Sequence, residues 1–322
     1  MAIIGKNIER AAELLLAGEV IGIPTETVYG LAANGSNPTA VKKIFKVKNR
    51  PSSNPLILHI SAIDHLAKYG QQIPQMAYDL AEKFWPGALT LLLPKNSDII
   101  SEVTAGLPRV ALRMPDHPLT LSLLTLLDFP VAAPSANPYG YISPTLASHV
   151  NDQLGDKIPY ILDGGPSKKG IESTIVGFEN NIPVIYRQGV ITAEDIKSVT
   201  GNVQVFNSKT DKPLTSGMSL SHYAPKTPVY LTSDILRCPL PEAVKNVGVL
   251  SFEKHYSQFA IDRQITLSMT GSLEEAASNL YEALHRLDAM GLDAIIAEYA
   301  PNTGIGAAIN DRLTRAAKKR NE

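Results

Sequence analysis

The stretch Arg109–Asn137, RVALRMPDHPLTLSLLTLLDFPVAAPSAN, carries the reading of the fold. Val110-Ala111-Leu112-Arg113 is an apolar run closed by Met114-Pro115, and it reads as a buried strand. Leu119 to Leu127 carries leucines at helical spacing. Val131-Ala132-Ala133 is a second short apolar run, stopped by Pro134. Strand, helix and strand in so short a span predict a layered α/β architecture.

The alternation extends outward. Upstream, helices are expected at Ile8–Ala17, Thr39–Lys46, Ala62–Lys68 and Pro74–Phe84, and strands at Val20–Pro24, Pro55–Ile60 and Leu89–Leu93. Between them Pro24-Thr25-Glu26-Thr27-Val28-Tyr29-Gly30-Leu31 is a turn rich in hydroxyls. Downstream, Tyr160–Asp163, Ser173–Val176 and Pro183–Tyr186 are further strands, interrupted by Gly164-Gly165-Pro166. The expected fold is α/β (α+β) with a mixed sheet. Regularity then lapses, which predicts a first domain over 1–205 and a linker over 206–227. The remainder, 228–322, has a β-β-α-β-α order that suggests a small Rossmann-like domain.

At 322 residues, two domains are the default. Lys and Arg total 30 against 31 acids, so no overall basic footprint for nucleic acid exists, although a net count hides local faces. The single Cys238 excludes an internal disulfide framework and reads as a small buried hydrophobe. The N-terminus lacks a signal-peptide layout, and no apolar run reaches the roughly 20 residues of a membrane span. A cytoplasmic protein without membrane contact is expected.

Lys48 and Arg50 lie past a helix in the expected loop before Pro51. Lys as a point charge and Arg as a fork suit a phosphate or carboxylate. Spacing alone favours the plainer reading, two solvated charges at a helix C-terminus. Arg109 and Arg113 sit four apart on one strand, hence on one face, and an inward Arg there needs an anionic partner. Ser135-Ala136-Asn137 ends a strand, where open α/β sheets bind ligands, but it also suits a simple turn before Pro138. Arg187 follows another strand and would serve equally in a rim salt bridge. His59, alone in an apolar strand, reads first as a hydrogen-bonded core residue, and no protein-built metal site is expected. The C-terminal cations Arg312, Arg315, Lys318, Lys319 and Arg320 are sufficiently explained by the helix dipole. No G-x-x-x-x-G-K-[ST], no G-x-G-x-x-G near a first strand and no G-x-S-x-G is present.

Taken in order, several motifs resemble one family. They are Pro24–Leu31, Lys48-x-Arg50-Pro51 with Asn54-Pro55-Leu56, and Phe84-Trp85-Pro86-Gly87-x-Leu89-Thr90. They continue with Val110-Ala111-x-Arg113-x-Pro115, Ala133-Pro134-Ser135-Ala136-Asn137 and Glu172-Ser173-Thr174. Together they are similar to the YrdC-type threonylcarbamoyl-AMP synthases. Gly217-Met218, His222-Tyr223-Ala224-Pro225 and Asn310-x-Arg312-Leu313-x-Arg315 resemble the long form with a C-terminal domain. Asn49 stands where Gly is common, and Ser216 where Pro usually precedes Gly-Met.

The resemblance implies a twisted mixed sheet with a concave cationic cavity. It implies a nucleotidyltransferase that condenses L-threonine, bicarbonate and ATP, with Mg²⁺ on the nucleotide, to threonylcarbamoyl-AMP and pyrophosphate. The product would go to tRNA-modifying transferase proteins that form N6-threonylcarbamoyladenosine, with weak or no direct tRNA binding. By resemblance, Thr27, His59, Arg113, Ala133 and Ser173 belong to the threonine pocket. Arg50, Asn54, Arg109, Ser135, Asn137, Ser143, Arg187 and Tyr223 belong to the ATP side, and Lys48 with Arg50 to catalysis. Gly217 to Pro225 is expected to act as a lid over the cavity. Two other readings are an RNA-binding module of the same fold and a carbamoyltransferase-type enzyme. Composition argues against the first, and one cysteine with this length against the zinc-bearing second.

Overall fold

The computed structural model describes residues 1–206, 214–215 and 223–318. Most of the expected linker and lid, together with Lys319 and Arg320, lies outside the described residues. The chain divides into two compact units. The first holds Met1–Tyr139, Pro144–Lys168 and Glu172–Ser219, and the second Gly140–Ser143, Lys169–Ile171 and Leu220–Glu322.

The strands of the first unit are β1 Ile3–Gly5, β2 Ile21–Ile23, β3 Gly30–Asn34, β4 Ile57–His59, β5 Leu89–Pro94, β6 Arg109–Arg113, β7 Val131–Ala132, β8 Tyr160–Leu162, β9 Thr174–Glu179, β10 Ile182–Arg187 and β11 Gln204–Val205. Its helices are α1 Ile8–Leu16, α2 Pro38–Lys48, α3 His65–Tyr69, α4 Gln75–Phe84, α5 Ser101–Thr104, α6 Pro118–Thr125, α7 Ala147–Leu154 and α8 Ala193–Thr200. The strands form one mixed sheet in the order β1-β8-β2-β3-β7-β4-β6-β5-β9-β10-β11. One apolar cluster includes Leu31, Ile44, Leu58, Leu91 and Leu112, and another Leu15, Ile21, Ile23, Leu123 and Leu162. Burial on both faces explains why central strands such as β5 and β6 read as unbroken apolar runs.

Local chemistry fixes the elements that carry the site. Asn37 caps α2 by accepting from the N–H groups of Thr39 and Ala40, and Pro38 opens its first turn. Lys46 and Lys48 close the helix where cations oppose its dipole. The β9–β10 hairpin turns on Asn180 and Asn181, with φ of 50° and 61°, the pair of left-handed residues that a two-residue hairpin loop requires.

The second unit contains β12 Val229–Thr232, β13 Val247–Ser251, β14 Gln264–Thr266, α9 Leu273–Asp288, β15 Ala294–Glu298 and α10 Gly306–Ala317. Its parallel sheet, β12-β15-β13-β14, has the expected Rossmann-like character with one more strand than expected, β14. At the carboxyl ends of β13 and β15, Glu298 accepts from the Phe252 N–H and the Tyr256 hydroxyl, both at 2.9 Å. A carboxylate of the chain itself thus occupies the place where such sheets often take a ligand. Cys238 is half-buried, and burial pushes its thiol pKa up, as suits an unreactive position.

Arg312 of α10 is fully buried, not part of a solvated cationic tail. It pairs with Asp311 at 2.8 Å and lies over the Tyr223 ring at 5.4 Å. Burial pulls the Asp311 pKa up, but Arg312 and Arg315 outweigh it and hold it below the ordinary carboxylate value. A depressed folded-state pKa gives stability that is present above the unfolded value, about 4, and is lost as pH falls through the folded value. Calorimetric unfolding at pH 3–5 is therefore expected to show a falling midpoint that flattens in Asp311→Asn.

Candidate active site

Lys48 is the last residue of α2 rather than a loop residue. It continues the buried stripe Ala40, Val41, Ile44, Phe45 and is 1% exposed. Its ammonium donates to the carbonyl of Ser135 at 2.6 Å, to that of Asn137, and at 3.5 Å to Asn137 Oδ1. Burial, then the neighbouring Arg50 charge, pushes its pKa well below the lysine norm. All its hydrogen-bond partners among the described residues are uncharged.

Asn49 ends α2 in the left-handed conformation, φ 51°, which Asn tolerates better than other side-chain-bearing residues. That explains how it stands where Gly is common. Arg50 follows, buried, with Nη2 donating to the Pro55 carbonyl at 3.0 Å and its guanidinium 5.8 Å from the Tyr139 ring centre. Asn54 donates to the Tyr139 hydroxyl at 3.1 Å, and the Tyr139 N–H to the Lys48 carbonyl at 2.8 Å. Lys48, Arg50, Asn54, Ser135 and Asn137 are therefore one cluster, and the plain surface reading of the two cations fails.

A second group lies along the strand ends. His59 stands beside Arg113 in the β4/β6 register and opposite Val131 of β7. The Ala133 N–H extends that ladder to the Ile57 carbonyl at 3.0 Å. Leu91 faces Leu112 across β5 and β6, so Thr90 falls beside Arg113. The Thr90 hydroxyl meets that of Ser173 at 2.7 Å, and Arg187 binds Ser173 through its carbonyl and hydroxyl, both at 3.0 Å. Gly189 packs so tightly on this segment that a Cβ would stand 2.4 Å from the Glu172 carbonyl oxygen. Thr27 is fully buried, its hydroxyl 2.8 Å from that of Thr25, whose oxygen accepts from the Thr27 and Val28 N–H groups.

Arg113 has the anionic partner expected of an inward Arg, and it is the protein's own. Nη2 meets Glu26 Oε1 at 2.6 Å with both side chains 5% exposed. His59 is buried, and its Nδ1 has no hydrogen-bond partner among the described residues. Burial, then the Arg113 charge, pushes its pKa down to about 3, so the ring is neutral at physiological pH. His59 is thus a core histidine with one unsatisfied nitrogen, not the satisfied one expected.

Arg109 does not join these groups among the described residues. Arg109 is half-exposed and spends its charge on Glu179 at 2.8 Å and the Tyr186 hydroxyl at 2.9 Å. Four residues of strand separate it from Arg113 by roughly 13 Å. Ser143 and Tyr223 belong to the second unit. There the Ser143 carbonyl lies 3.1 Å from His285 Nε2, and Tyr223, with φ of 65°, packs against Tyr281. Glu26, Thr90 and Tyr139 were not expected in the site.

Buried cations, hydroxyls and a neutral histidine at the ends of a mixed α/β sheet are chemistry that suits anionic or zwitterionic small molecules. The comparisons are more specific. A family model described as "Telomere recombination" matches residues 13–189, and one described as "Threonylcarbamoyl-AMP synthase, C-terminal domain" matches residues 191–318. The threonylcarbamoyl-AMP synthase of Bacillus subtilis (strain 168) is 44% identical over 321 residues, covering 97% of this chain and 93% of that protein. That of Pyrococcus abyssi is 38% identical over 325 residues, covering 97% and 94%. The crystal structure of P. abyssi Sua5 complexed with L-threonine superposes with a TM-score of 0.90 at 37% identity, covering 98% of this chain and 97% of that one. The chain belongs to the threonylcarbamoyl-AMP synthase family, in its two-domain form, and is a nucleotidyltransferase-type enzyme.

Proposed function

We propose that this enzyme condenses L-threonine, bicarbonate and ATP to threonylcarbamoyl-AMP and pyrophosphate, feeding the proteins that form N6-threonylcarbamoyladenosine in tRNA. The observation that carries the reading is the buried Lys48 ammonium beside Arg50, with no charged partner of its own among the described residues. A buried charge left without a counterion is costly, and a polyphosphate in this place would supply one. The Arg113 end differs, because Glu26 already neutralises the cation and His59 is uncharged. An arginine already paired beside a neutral imidazole suits a zwitterionic amino acid better than a polyphosphate, in keeping with the L-threonine in the P. abyssi complex. On this reading Lys48, Arg50, Asn54, Ser135 and Asn137 form the phosphate end, and Thr27, His59, Arg113, Ala133 and Ser173 the amino-acid end, a division the difference in charge supports.

The bound threonine ammonium loses a proton to water, and the resulting amine forms a carbamate with bicarbonate, releasing water. A carbamate oxygen then attacks the α-phosphorus of ATP and pyrophosphate leaves. Both reactants are anions, so fixed cations in a water-poor site lower the cost of approach. Positioning and charge stabilisation suffice for such a transfer, and no protein nucleophile is required. Mg²⁺ would enter on the phosphates of ATP, since it is usually held by substrate phosphates and water rather than by an all-protein cage. No helix among the described residues is long and apolar enough to cross a membrane.

The test is pyrophosphate release by the purified chain with ATP and Mg²⁺. Release that requires both threonine and bicarbonate is expected. Equal release with neither overturns the proposal.

A further inference from the structure

Glu26 is a buried acid, 4% exposed, in the hydroxyl-rich turn that also carries Thr27. One carboxylate oxygen takes Arg113 Nη2 at 2.6 Å, and the other accepts the Asp116 N–H at 3.0 Å. Arg113 Nε donates to the Gly87 carbonyl at 3.3 Å. The guanidinium is thereby pinned at two of its nitrogens. Its Nη1 makes no hydrogen bond among the described residues, although Arg113 is only 4% exposed. An arginine held by its rear edge, with one nitrogen uncommitted in a buried place, presents that nitrogen to an incoming acceptor.

We propose that Glu26 is a positioning residue for the amino-acid substrate: it fixes the rotation of Arg113 so that Nη1 meets the substrate carboxylate. The assignment rests on the threonine reading given above. Glu26 need not touch the substrate. Its second task is to cancel the Arg113 charge, which leaves this end matched to a zwitterion rather than to a phosphate group. The Thr25 hydroxyl, by accepting from the Thr27 and Val28 N–H groups, holds the turn that carries both Glu26 and Thr27. Carboxylate anchor and buried hydroxyl therefore move as one piece.

The test uses the full chain carrying Glu26→Gln or Glu26→Asp, with initial rates of pyrophosphate release measured against threonine and against ATP. Glu26→Gln keeps the shape of the contact and removes its charge. The expected result is a threonine KM raised about tenfold or more, the scale of one charge-assisted hydrogen bond, with the ATP KM within about twofold of wild type. Glu26→Asp retains the charge at shorter reach, should fold, and is expected to raise the threonine KM about threefold, less than Gln does. A merely structural role would lower the thermal midpoint and kcat and leave both KM values in place. If Glu26→Gln does not fold, Glu26→Asp decides alone. A wild-type threonine KM in either folded variant overturns the proposal. If the wild-type chain itself shows no threonine-dependent release, the functional reading fails first and takes this one with it.

Discussion

Lys48→Ala is expected to cut threonine-dependent pyrophosphate release by about 10²-fold or more, the scale seen when one preorganised charge or donor is removed from a transfer site. Two effects add. The charge itself disappears from the phosphate end, and the carbonyls of Ser135 and Asn137 lose the ammonium that draws them together. The second effect arises because Lys48 also holds the Ser135–Asn137 turn together, apart from any phosphate charge it would offset. Lys48→Arg should not rescue, because a guanidinium is too large for a side chain that is 1% exposed. Steady-state kinetics with varied ATP checks this. An activity within twofold of wild type in Lys48→Ala would remove Lys48 from the site.

Arg113→Ala should have the largest effect on stability. It leaves Glu26 buried with no cation, and breaking such a pair from one side typically costs about 3–5 kcal/mol. For a unit of this size the midpoint would fall by about 10 °C. Threonine should no longer protect the variant against heat, whereas ATP should still do so. The double variant Arg113→Ala/Glu26→Ala is expected to recover part of the stability and none of the threonine effect, since it removes the stranded charge but not the lost anchor. Scanning calorimetry with and without each ligand reads all five outcomes.

Much of the architecture was legible in the residues. The strand, helix and strand in Arg109–Asn137 appear as β6, α6 and β7 within a residue or two of expectation. β3 went unread because Gly30-Leu31-Ala32-Ala33-Asn34 has small side chains and little period. β1 is an edge strand whose partner, β8, lies far along the chain, so nothing local marks it. The charged residues were harder. A helix C-terminus explains Lys48 and Arg50 without a site, and the carbonyls that receive Lys48 come from a turn 87 residues away. One local signal pointed the other way: Ala40, Ile44 and Lys48 recur at helical spacing on the buried face, which places the lysine on the apolar stripe. For Arg113 the need for an anion was readable from its strand, but not that Glu26 would meet it.

The resemblance placed Arg109 beside the nucleotide, yet here it pairs with Glu179 and Tyr186 and touches none of the other expected site residues. Binding of ATP there would have to compete with a carboxylate. Lys48 has no such rival, which is why the phosphate end centres on it.

The most direct measurement is mass spectrometry of the products formed from ATP, Mg²⁺ and isotopically labelled bicarbonate, with each of the common amino acids in turn. The expected result is an adenylate carrying the labelled carbon, formed with threonine and lost in Lys48→Ala. A labelled adenylate formed equally with any amino acid, or none with threonine, would contradict it.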